Sequence, residues 1–408
     1  MSDPKVLVIV LAGGEGKRML PLTDDRAKPA VPFGGSYRII DFALSNFANS
    51  RYLKIVVLTQ YKSHSLDRHI SATWRFSSLL GNYVTPVPAQ MRRGPHWFAG
   101  SADAIYQNLN LIGDEDPDVV CVFGADHIYR MDVSQMVEHH LAAGAGVTVA
   151  GIPVGLEEAK SFGVINADDN GKIKSFHEKS PSPPTMPGDS TRCLASMGNY
   201  VFNTDTLIDI VTPVGEDDAY TDIGAHIIPA LTAQGVAHVY DFSTNVIPGQ
   251  SEREKGYWRD VGTIDSYFDA NMDLLSPLPV FDLYNAQWPV FTNHAPLPPA
   301  KVSCAEDGDP SFVDGSLLCA GSIVSGGHLE RSIASPGVRV HSDARVIDSI
   351  LFPGVRIGAG ASVNRCIIDK NVQVPPGAQV GIDHAADKNR FKITEQGIVV
   401  IPKGFAGW

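Results

Sequence analysis

Cysteine is scarce in this chain and widely spread. Only 5 of the 408 residues are Cys, at positions 121, 193, 304, 319 and 366, and no two of them form a C-x-x-C pair. The odd number and the wide spacing exclude the usual zinc-ribbon patterns and are typical of a protein from a reducing compartment.

Positive charge is also in short supply. Lys and Arg number 33 against 45 Asp and Glu, which gives a net charge of −12. A chain this acidic lacks the basic surface that general nucleic-acid or anionic-membrane binding requires. We therefore expect no nucleic-acid partner and no membrane partner, whereas a local basic site for an anionic substrate is compatible with this charge.

Long apolar runs are missing as well. No stretch approaches the ~20 apolar residues that a membrane-spanning helix needs. The apolar run at residues 6–12 is short for a signal peptide and leads directly into the glycine-rich residues 13–18. We interpret it as a buried strand that precedes a glycine loop, and we expect a soluble, cytoplasmic protein.

The first two thirds of the chain alternate strand-like and helix-like patterns. Apolar runs predict strands at 54–58, 118–123, 146–153 and 236–242. Helical spacing of apolar residues predicts one helix from Ser101, as its N-cap, through Ile112. This alternation predicts an α/β sheet, mainly parallel and covered on both faces, which binds ligands at the carboxyl ends of its strands.

The last third follows a different pattern. Six prolines within residues 276–300 exclude an ordinary helix or central strand and predict an extended linker. Beyond residue 302, apolar residues recur at steps of six, with an occasional step of five, which predicts a hexapeptide parallel β-helix. This series comprises Leu317, Ile323, Leu329, Val340, Val346, Leu351, Ile357, Val363, Ile368, Val374 and Val380. We place the domains at residues 1–275 and 302–408, with a linker at 276–301.

A glycine-rich loop, LAGGEGKR at residues 11–18, directly follows the first predicted strand. Such a backbone lets amide groups turn toward a phosphate. The loop is not a Walker A motif, since Arg18 follows Lys17, and Met19 occupies the last position of the dinucleotide fingerprint. It fits either a phosphate loop of another kind or a tight strand-to-helix turn.

Charged residues near other predicted strands suggest further parts of an anion site. Arg26 and Lys28 could act with Arg18 to neutralise a polyphosphate, although a solvated basic loop has the same composition. Asp126 follows a buried strand, and Asp260 is a second acid; such carboxylates can hold a nucleotide-bound Mg²⁺ or simply serve as turn residues.

The pair Glu178-Lys179 ends another predicted strand. A glutamate can accept hydrogen bonds from sugar hydroxyls while a neighbouring lysine neutralises a phosphate. An exposed salt bridge would show the same two residues.

Together these motifs resemble a known family. The opening loop, RAKPAV at 26–31 and RIIDFALSN at 38–46 resemble the sugar-nucleotide pyrophosphorylases, and the last segment narrows the resemblance to glucose-1-phosphate adenylyltransferases. Further matches are LTQY at 58–61, PAQ at 88–90, GSADA at 100–104, GADHIY at 124–129, ASMG at 195–198 and YWRDVGT at 257–263. The resemblance runs from about residue 5 to the end and is strongest to actinobacterial members.

The resemblance implies a fold and a reaction. The fold would be a nucleotide-binding Rossmann-like mixed sheet with helices on both faces, followed by a left-handed parallel β-helix. The reaction would join ATP and α-D-glucose 1-phosphate to give ADP-glucose and pyrophosphate, the first committed step of bacterial glycogen synthesis. The family also implies Mg²⁺, small-molecule allosteric effectors such as glycolytic metabolites, and a homotetramer.

The resemblance also assigns roles to residues of this sequence. The implied catalytic residues are Arg18, Lys28 and Asp126, and the implied metal ligands are Asp126 and Asp260. The implied nucleotide-binding residues are Leu11, Ala12, Gly13, Gly14, Gln60, Gln90 and Gly100. The implied glucose-1-phosphate-binding residues are Phe98, Gly163, Glu178, Lys179 and Ser196.

Two positions depart from the family pattern. A tyrosine associated with the substrate site aligns with Phe98, which removes any hydrogen bond from its hydroxyl. Enteric members carry a basic activator residue where this chain has Asp25. An acid there would repel an anion, so we expect no activation by fructose 1,6-bisphosphate, while other sugar phosphates or glycolytic acids stay open.

Three other functions stay open at this point. A sister pyrophosphorylase would use another nucleotide or sugar. A non-catalytic regulatory subunit would tend to lose the phosphate-site cations or the metal acid, all of which this chain keeps. Hexapeptide β-helices also occur in acyltransferases. The bases available for that chemistry are His328, His341 and His384.

Overall fold

The computed structural model of the protein describes residues 4–90, 92, 97–215 and 221–408. The strands before residue 275 are β1 Val6–Ala12, β2 Pro32–Phe33, β3 Tyr37–Arg38, β4 Lys54–Thr59, β5 Tyr83–Pro88, β6 Val119–Gly124, β7 His127–Tyr129, β8 Val147–Gly155, β9 Gly163–Ala167, β10 Ile173–Glu178, β11 Arg192–Asn203, β12 Ala237–Asp241 and β13 Trp258–Asp260. The α-helices are α1 Ile39–Asn49, α2 His64–Thr73, α3 Ser101–Tyr106, α4 Leu109–Glu115, α5 Val133–Ala143, α6 Leu156–Ala159, α7 Thr204–Val211, α8 Ile228–Ala233 and α9 Ile264–Met272.

Most of these strands form one mixed sheet. Its order is β10-β9-β11-β6-β1-β4-β5, and β8 pairs with both β11 and β12. The central strand β1 is parallel to β4 and to β6, whereas β11 runs antiparallel to β6. Since β1 is covered on both faces, it is apolar throughout rather than alternating. The carboxyl ends of β1 and β6 meet at one edge, and the glycine loop leaves the sheet there.

The predicted strands are confirmed as β4, β6, β8 and β12, but the predicted long helix is wrong. The chain forms two helices, α3 and α4, and Gly100 rather than Ser101 takes the N-cap position. The break lies at Asn108, whose side chain donates a hydrogen bond to the carbonyl of Ala104 and so competes with the helix backbone. The Ser101 hydroxyl instead bonds the carboxylate of Asp222 at 3.1 Å.

Residues 276–300, all of them described, contain neither helix nor strand. They do not cross open solvent, because Phe281 and Trp288 are buried. Backbone groups of this segment also bond α1: Asn49 donates to the carbonyl of Pro289, and the amide of Phe291 donates to the Ser45 hydroxyl. The segment forms turns and irregular structure and is packed along the first domain.

The C-terminal strands build a parallel β-helix. The described strands form sheets in the orders β14-β17-β20-β23-β26, β15-β18-β21-β24-β27 and β16-β19-β22-β25-β29-β28. Their bounds are β14 Lys301–Ser303, β15 Phe312–Asp314, β16 Leu317–Leu318, β17 Ile323–Ser325, β18 His328–Glu330, β19 Ile333–Ala334, β20 Arg339–Val340, β21 Arg345–Ile347, β22 Ile350–Leu351, β23 Arg356–Ile357, β24 Ser362–Asn364, β25 Cys366–Ile368, β26 Gln373–Val374, β27 Gln379–Val380, β28 Lys392–Ile393 and β29 Val399–Ile401, with the helix α10 His384–Asp387 after β27.

The six-residue series is confirmed from Leu329 onward, where its members are buried and stack in register inside the β-helix. It is wrong by one residue at its first two members, Leu317 and Ile323. Leu318 and Val324 occupy the inward positions that the sequence assigned to Leu317 and Ile323. Leu317 pairs with Ile333 on the face that packs against the first domain. This second apolar face explains why Leu317 has the apolar character predicted for an inward position.

That second apolar face joins the two domains. Ile333, Ile350 and Ile367, which stack on successive coils, lie in one buried cluster with Phe33 and Tyr267 of the first domain. The β-helix is thus fixed against the first domain through a shared apolar core, which contributes stability in proportion to the area removed from water.

The buried carboxylate of Asp41 ties three parts of the first domain together. It lies on α1 and contacts the His69 ring at 2.7 Å, the Trp74 indole N–H at 3.0 Å and the Thr292 hydroxyl at 2.7 Å. These partners belong to α2, to the residue after it and to the segment at residues 276–300. Each would lose a buried hydrogen bond without this carboxylate.

We predict that Asp41→Ala lowers the free energy of unfolding by about 3 kcal/mol or more, because several buried polar groups lose their partner at once. Urea denaturation followed by circular dichroism measures the change. Asp209→Ala, on an exposed face of α7, is the control and should change stability by less than ~0.5 kcal/mol. Equal stability of the two variants would contradict this role of Asp41.

Candidate active site

A cavity opens at the edge of the sheet where β1 and β6 end. The glycine loop forms one wall, and the segment around Lys28 forms another. The lining residues are Leu11, Ala12, Gly14, Glu15, Gly16, Lys17, Arg18, Lys28, Pro29, Asp126 and Gly262. We call it the phosphate-side cavity because the glycine loop forms one of its walls. It contains Arg18, Lys28 and Asp126, the three residues to which the resemblance assigns catalysis.

Lys28 is the central charge of this cavity. Its side chain is only 8% exposed, and its ammonium nitrogen Nζ lies 2.9 Å from an oxygen of Asp126 and 3.1 Å from an oxygen of Asp260. Burial alone would lower the pKa of Lys28, but the two carboxylates outweigh it and raise that pKa above its ordinary value. Lys28 is therefore a fixed cation rather than a proton donor at neutral pH.

Asp126 lies between β6 and β7, and Asp260 lies on β13. The pairing of β13 with β7 brings the two carboxylates together. Asp260 in β13 pairs in register with His127 in β7, directly beside Asp126. Ligand atoms of these three residues all lie within 4.8 Å of one another. Burial alone would raise the pKa of Asp126, but Lys28 and His127 outweigh it and hold that pKa well below its usual value. Asp126 is thus ionised, as a metal ligand must be.

The donor set at this point fits a hard divalent cation. Two carboxylates supply oxygen ligands, which Mg²⁺ prefers together with phosphate oxygens and water. The Lys28 ammonium already places a positive charge between them, which shows that the two carboxylates are arranged to attract cations.

Arg18 stands at the solvent side of the same cavity. Its side chain is 66% exposed, and its guanidinium lies 4.0 Å from Asp260. A Cβ atom on Gly262 would lie 2.8 Å from that guanidinium and 2.9 Å from Asp260, so the glycine leaves room for both side chains as they stand. Gly262 was not among the predicted site residues, although it follows Asp260 by two residues within the matching segment 257–263.

A second cavity adjoins the first and shares Leu11 and Gly14 with it. Its lining residues are Leu11, Gly13, Gly14, Leu58, Gln60, Phe98, Gly100, Ser101 and Ala104. The amide side chain of Gln60 accepts from the backbone N–H of Phe98 at 2.8 Å and donates to its carbonyl at 3.3 Å. A planar, partly apolar ligand would find an amide and an aromatic ring in this cavity.

Phe98 and Gln90 are two further residues that the resemblance assigns to substrate binding. Phe98 lies in this second cavity, with the residues assigned to the nucleotide, rather than with Glu178 and Lys179. Gln90 is not among the described residues that line either cavity; its side-chain oxygen accepts a hydrogen bond from Arg92. Residues 91 and 93–96, which follow Gln90, lie outside the described part of the chain.

A third group of predicted residues lies at the far end of β9, β10 and β11. Glu178 pairs in register with Gly163, and a Cβ on Gly163 would lie 2.8 Å from the Glu178 carboxylate. Lys179 lies 3.2 Å from the same carboxylate, with its side chain 68% exposed, and Ser196 is buried nearby in β11. This arrangement offers an acceptor for hydroxyls next to a mobile cation.

The segment at Asp222 links the second cavity to this third group, and the sequence analysis did not single it out. Asp222 bonds Ser101, and a Cβ on Gly224 would lie 3.2 Å from the Glu178 carboxylate. Gly100 packs so closely on Thr221 that a Cβ there would lie 2.3 Å from its carbonyl oxygen. No motif in the sequence marks these long-range contacts.

Comparison with known proteins agrees with this geometry. The family model described as "Nucleotidyl transferase" matches residues 7–277, and the model "GlmU-like, C-terminal hexapeptide" matches residues 298–401. Proteins named glucose-1-phosphate adenylyltransferase are similar along their whole length. The protein from Parafrankia sp. (strain EAN1pec) is 57% identical over 408 residues, covering 99% of each chain.

Other relatives with the same name come from further actinobacteria. The protein from Corynebacterium kroppenstedtii is 57% identical over 411 residues, covering 99% of this chain and 98% of its own. That from Mycolicibacterium smegmatis is 56% identical over 407 residues, covering 98% of each chain.

This chain belongs to the glucose-1-phosphate adenylyltransferase family. It is a nucleotidyltransferase with a Rossmann-like catalytic domain and a hexapeptide β-helix, as the sequence predicts. Nucleotidyltransferases generally use a divalent metal, and the group Asp126, His127 and Asp260 could hold one here. Among the described residues, no helix has both the length and the apolar content needed to cross a bilayer.

Proposed function

We propose that the protein joins ATP and α-D-glucose 1-phosphate to give ADP-glucose and pyrophosphate. The observation that carries this proposal is the buried ammonium of Lys28, held between Asp126 and Asp260 at the mouth of the glycine loop. A triphosphate needs such a site, because cations must offset its charge while carboxylates hold the metal that accompanies it. The near-full-length relatives named glucose-1-phosphate adenylyltransferase support the same reaction.

The proposed reaction is a single in-line displacement. An oxygen of the sugar phosphate attacks the α-phosphorus of ATP, and the bond to the bridging oxygen of pyrophosphate breaks with its electron pair leaving on pyrophosphate. Amides of Gly13 and Gly14 orient the phosphates, Lys28 offsets the charge that develops on them, and Arg18 receives the leaving pyrophosphate. Positioning and charge stabilisation supply most of the rate in such a transfer.

The proposed cofactor is Mg²⁺, with Asp126 and Asp260 as its protein ligands. When bound, this ion polarises phosphate oxygens and orients the triphosphate. Lys28 fits beside it, since Lys28 contacts each carboxylate through a single oxygen. The second oxygens face His127 at 3.5 Å and Arg18 at 4.0 Å.

The two substrates are proposed to occupy different cavities. The adenine enters the second cavity, against Leu11, Gln60 and Gly100, with Gln90 near its rim and Ala12 below the ribose. Phe98 lies in that cavity as well, beside Gln60. The contact with glucose 1-phosphate that the resemblance implies for Phe98 is proposed to be made from this position. Glucose 1-phosphate is proposed to lie at Gly163, Glu178, Lys179 and Ser196.

The first test is pyrophosphate release from glucose 1-phosphate with ATP, UTP, dTTP and GTP in parallel. We predict a kcat/KM for ATP at least tenfold above the others, which needs only ~1.4 kcal/mol of differential transition-state binding. Chelation of the divalent metal should abolish release. Equal use of UTP would move the protein to a sister family, and silence with every nucleotide would favour a non-catalytic regulatory subunit.

The sugar-phosphate site has its own test. Lys179→Ala should raise the KM for glucose 1-phosphate at least tenfold and leave the KM for ATP nearly unchanged, because a charge-assisted hydrogen bond to the sugar phosphate is lost. Lys174→Ala is the matched control, since Lys174 lies on β10, the strand that Lys179 directly follows, is also exposed and pairs with Asp168. Equal rises in both KM values would contradict the proposed role of Lys179.

We also propose that an anionic effector, a sugar phosphate or a glycolytic acid, binds between the two domains. Arg26, Arg38 and Lys370 cluster there, and the Nη1 atom of Arg26 is buried without a partner among the described residues. Asp25, expected to repel an anion, is paired with Lys403 and with Arg26. Its charge is therefore neutralised within the protein.

The effector proposal predicts a pH dependence. Burial, Arg38 and Arg26 lower the pKa of Lys370 to about 7, against weaker support from Asp369. A bound phosphate would restore the ammonium, so binding takes up a proton above pH 7 but not below it. The concentration of fructose 6-phosphate or phosphoenolpyruvate that gives half-maximal activation should therefore rise between pH 7 and pH 8.5. The rise should approach tenfold per pH unit. Lys370→Gln should remove this slope, and a slope unchanged in that variant would contradict the proposal.

Three further properties are proposed from the resemblance: a cytoplasmic location, a homotetramer, and supply of ADP-glucose for glycogen synthesis. The low cysteine content and the acidic surface support the first of these.

A further inference from the structure

The segment that joins the two catalytic cations carries three contacts from the β-helix domain. This joining segment, residues 19–27, runs from Arg18 to Lys28. Within it, the carbonyl of Leu20 accepts a hydrogen bond from Lys392 at 2.7 Å, Asp25 pairs with Lys403, and Arg26 pairs with Asp369. The second domain thus touches the chain between Arg18 and Lys28 rather than at the substrate cavities.

The pair of Arg26 and Asp369 is the buried contact of the three. Its guanidinium and carboxylate lie 2.9 Å apart, and each side chain is 2% exposed. Asp369 is itself fixed in the β-helix, where it accepts from the backbone amide of Lys370 at 2.6 Å while its own amide donates to Ile401 at 3.0 Å. Removing one partner would leave an uncompensated buried charge, whereas the lysine contacts are partly solvated.

Arg26 is coupled to Lys28 by a short and rigid piece of backbone. Ala27, between them, is fully buried and donates its amide to the carbonyl of Lys62 at 3.3 Å. A 3₁₀ turn, Lys28–Ala30, follows at once, and its amide at Ala30 donates to the carbonyl of Ala27 at 2.9 Å. Arg26 and Lys28 are therefore joined by a single buried residue that leads directly into the turn carrying Lys28.

The joining segment also touches the glycine loop. The Thr23 hydroxyl donates to the carbonyl of Gly16 at 2.9 Å, and a Cβ on Gly16 would lie 3.2 Å from the Cβ of Lys28. The loop, the joining segment and Lys28 are thus packed against one another, and Arg26 within this unit has its buried partner in the second domain.

We propose that Asp369 of the β-helix domain is a positioning residue for Lys28. Through the buried pair with Arg26 it holds the 3₁₀ turn where the Lys28 ammonium reaches Asp126 and Asp260, and it touches no substrate itself. This inference rests on the proposed function. It assigns the second domain a direct part in the transferase reaction, independent of any effector.

The test compares variants by steady-state kinetics without effector. Asp369→Asn should lower kcat at least tenfold, while the KM for glucose 1-phosphate changes less than threefold. The reason is that Arg26 loses its buried carboxylate partner and keeps only the half-exposed Asp25. In a Lys28→Ala background the same substitution should change kcat less than twofold, because it acts through Lys28. Radiolabelled glucose 1-phosphate gives the sensitivity that the Lys28→Ala background needs.

Asp387→Asn is the matched control. Asp387 is a β-helix carboxylate as buried as Asp369, pairs with Arg390 at 2.9 Å and accepts from the amide of Gly381. Its loss should lower the thermal unfolding midpoint and leave kcat within twofold of the wild type. If Asp369→Asn does not fold, Asp369→Glu, which keeps the charge and displaces the carboxylate, should fold and show the same split between kcat and KM.

The wild type in the same assay separates the two proposals. If the wild type is active and a folded Asp369→Asn or Asp369→Glu variant has an unchanged kcat, only the positioning role is overturned. Equal loss in the wild-type and Lys28→Ala backgrounds would also overturn it, since the effect would then be independent of Lys28. An inactive wild type would instead overturn the proposed function.

Discussion

A buried ammonium between two carboxylates is the interaction on which this molecule is organised. Lys28 contacts Asp126, which follows one strand, and Asp260, which lies on another. Its positive charge offsets the repulsion between the two carboxylates, which would otherwise raise the pKa of one of them. The mixed sheet supplies the edge at which these groups meet, since β1 and β6 run parallel and end side by side. The glycine loop then places backbone amides next to the same charges.

This concentration of charge matters because the rest of the protein is acidic. With a net charge of −12, the chain as a whole repels anions, and the site attracts them only through a few locally placed cations. Arg18 is exposed and free to follow a leaving group, whereas Lys28 is buried and held. The contrast fits a displacement in which one phosphate group departs while the reacting centre stays fixed.

Most of the fold could be predicted from the sequence, and most of the long-range contacts could not. Continuous apolar runs indicate buried parallel strands, and a six-residue period indicates a β-helix, because both depend on local patterns. The break at Asn108 depends on a side-chain hydrogen bond, and the inward position of Leu318 depends on a second apolar face that includes Leu317. Neither leaves a periodic signal in the sequence.

The candidate site shows the same division. Motifs identified the residues that meet at the phosphate-side cavity, since those residues follow strands that end at one edge. The place of Phe98 beside Gln60 and the contact of Asp369 with Arg26 join residues far apart in the chain. The latter pair spans 343 positions and crosses the domain boundary, so only the folded structure brings it to light.

The most direct test of this account is a crystal structure with Mn²⁺ and a non-hydrolysable ATP analogue, with the ion located by anomalous scattering. The account predicts an ion bound by both Asp126 and Asp260, with the Lys28 ammonium in contact with a phosphate oxygen. An ion bound away from these two carboxylates, with Lys28 still joined to both and distant from the triphosphate, would contradict it.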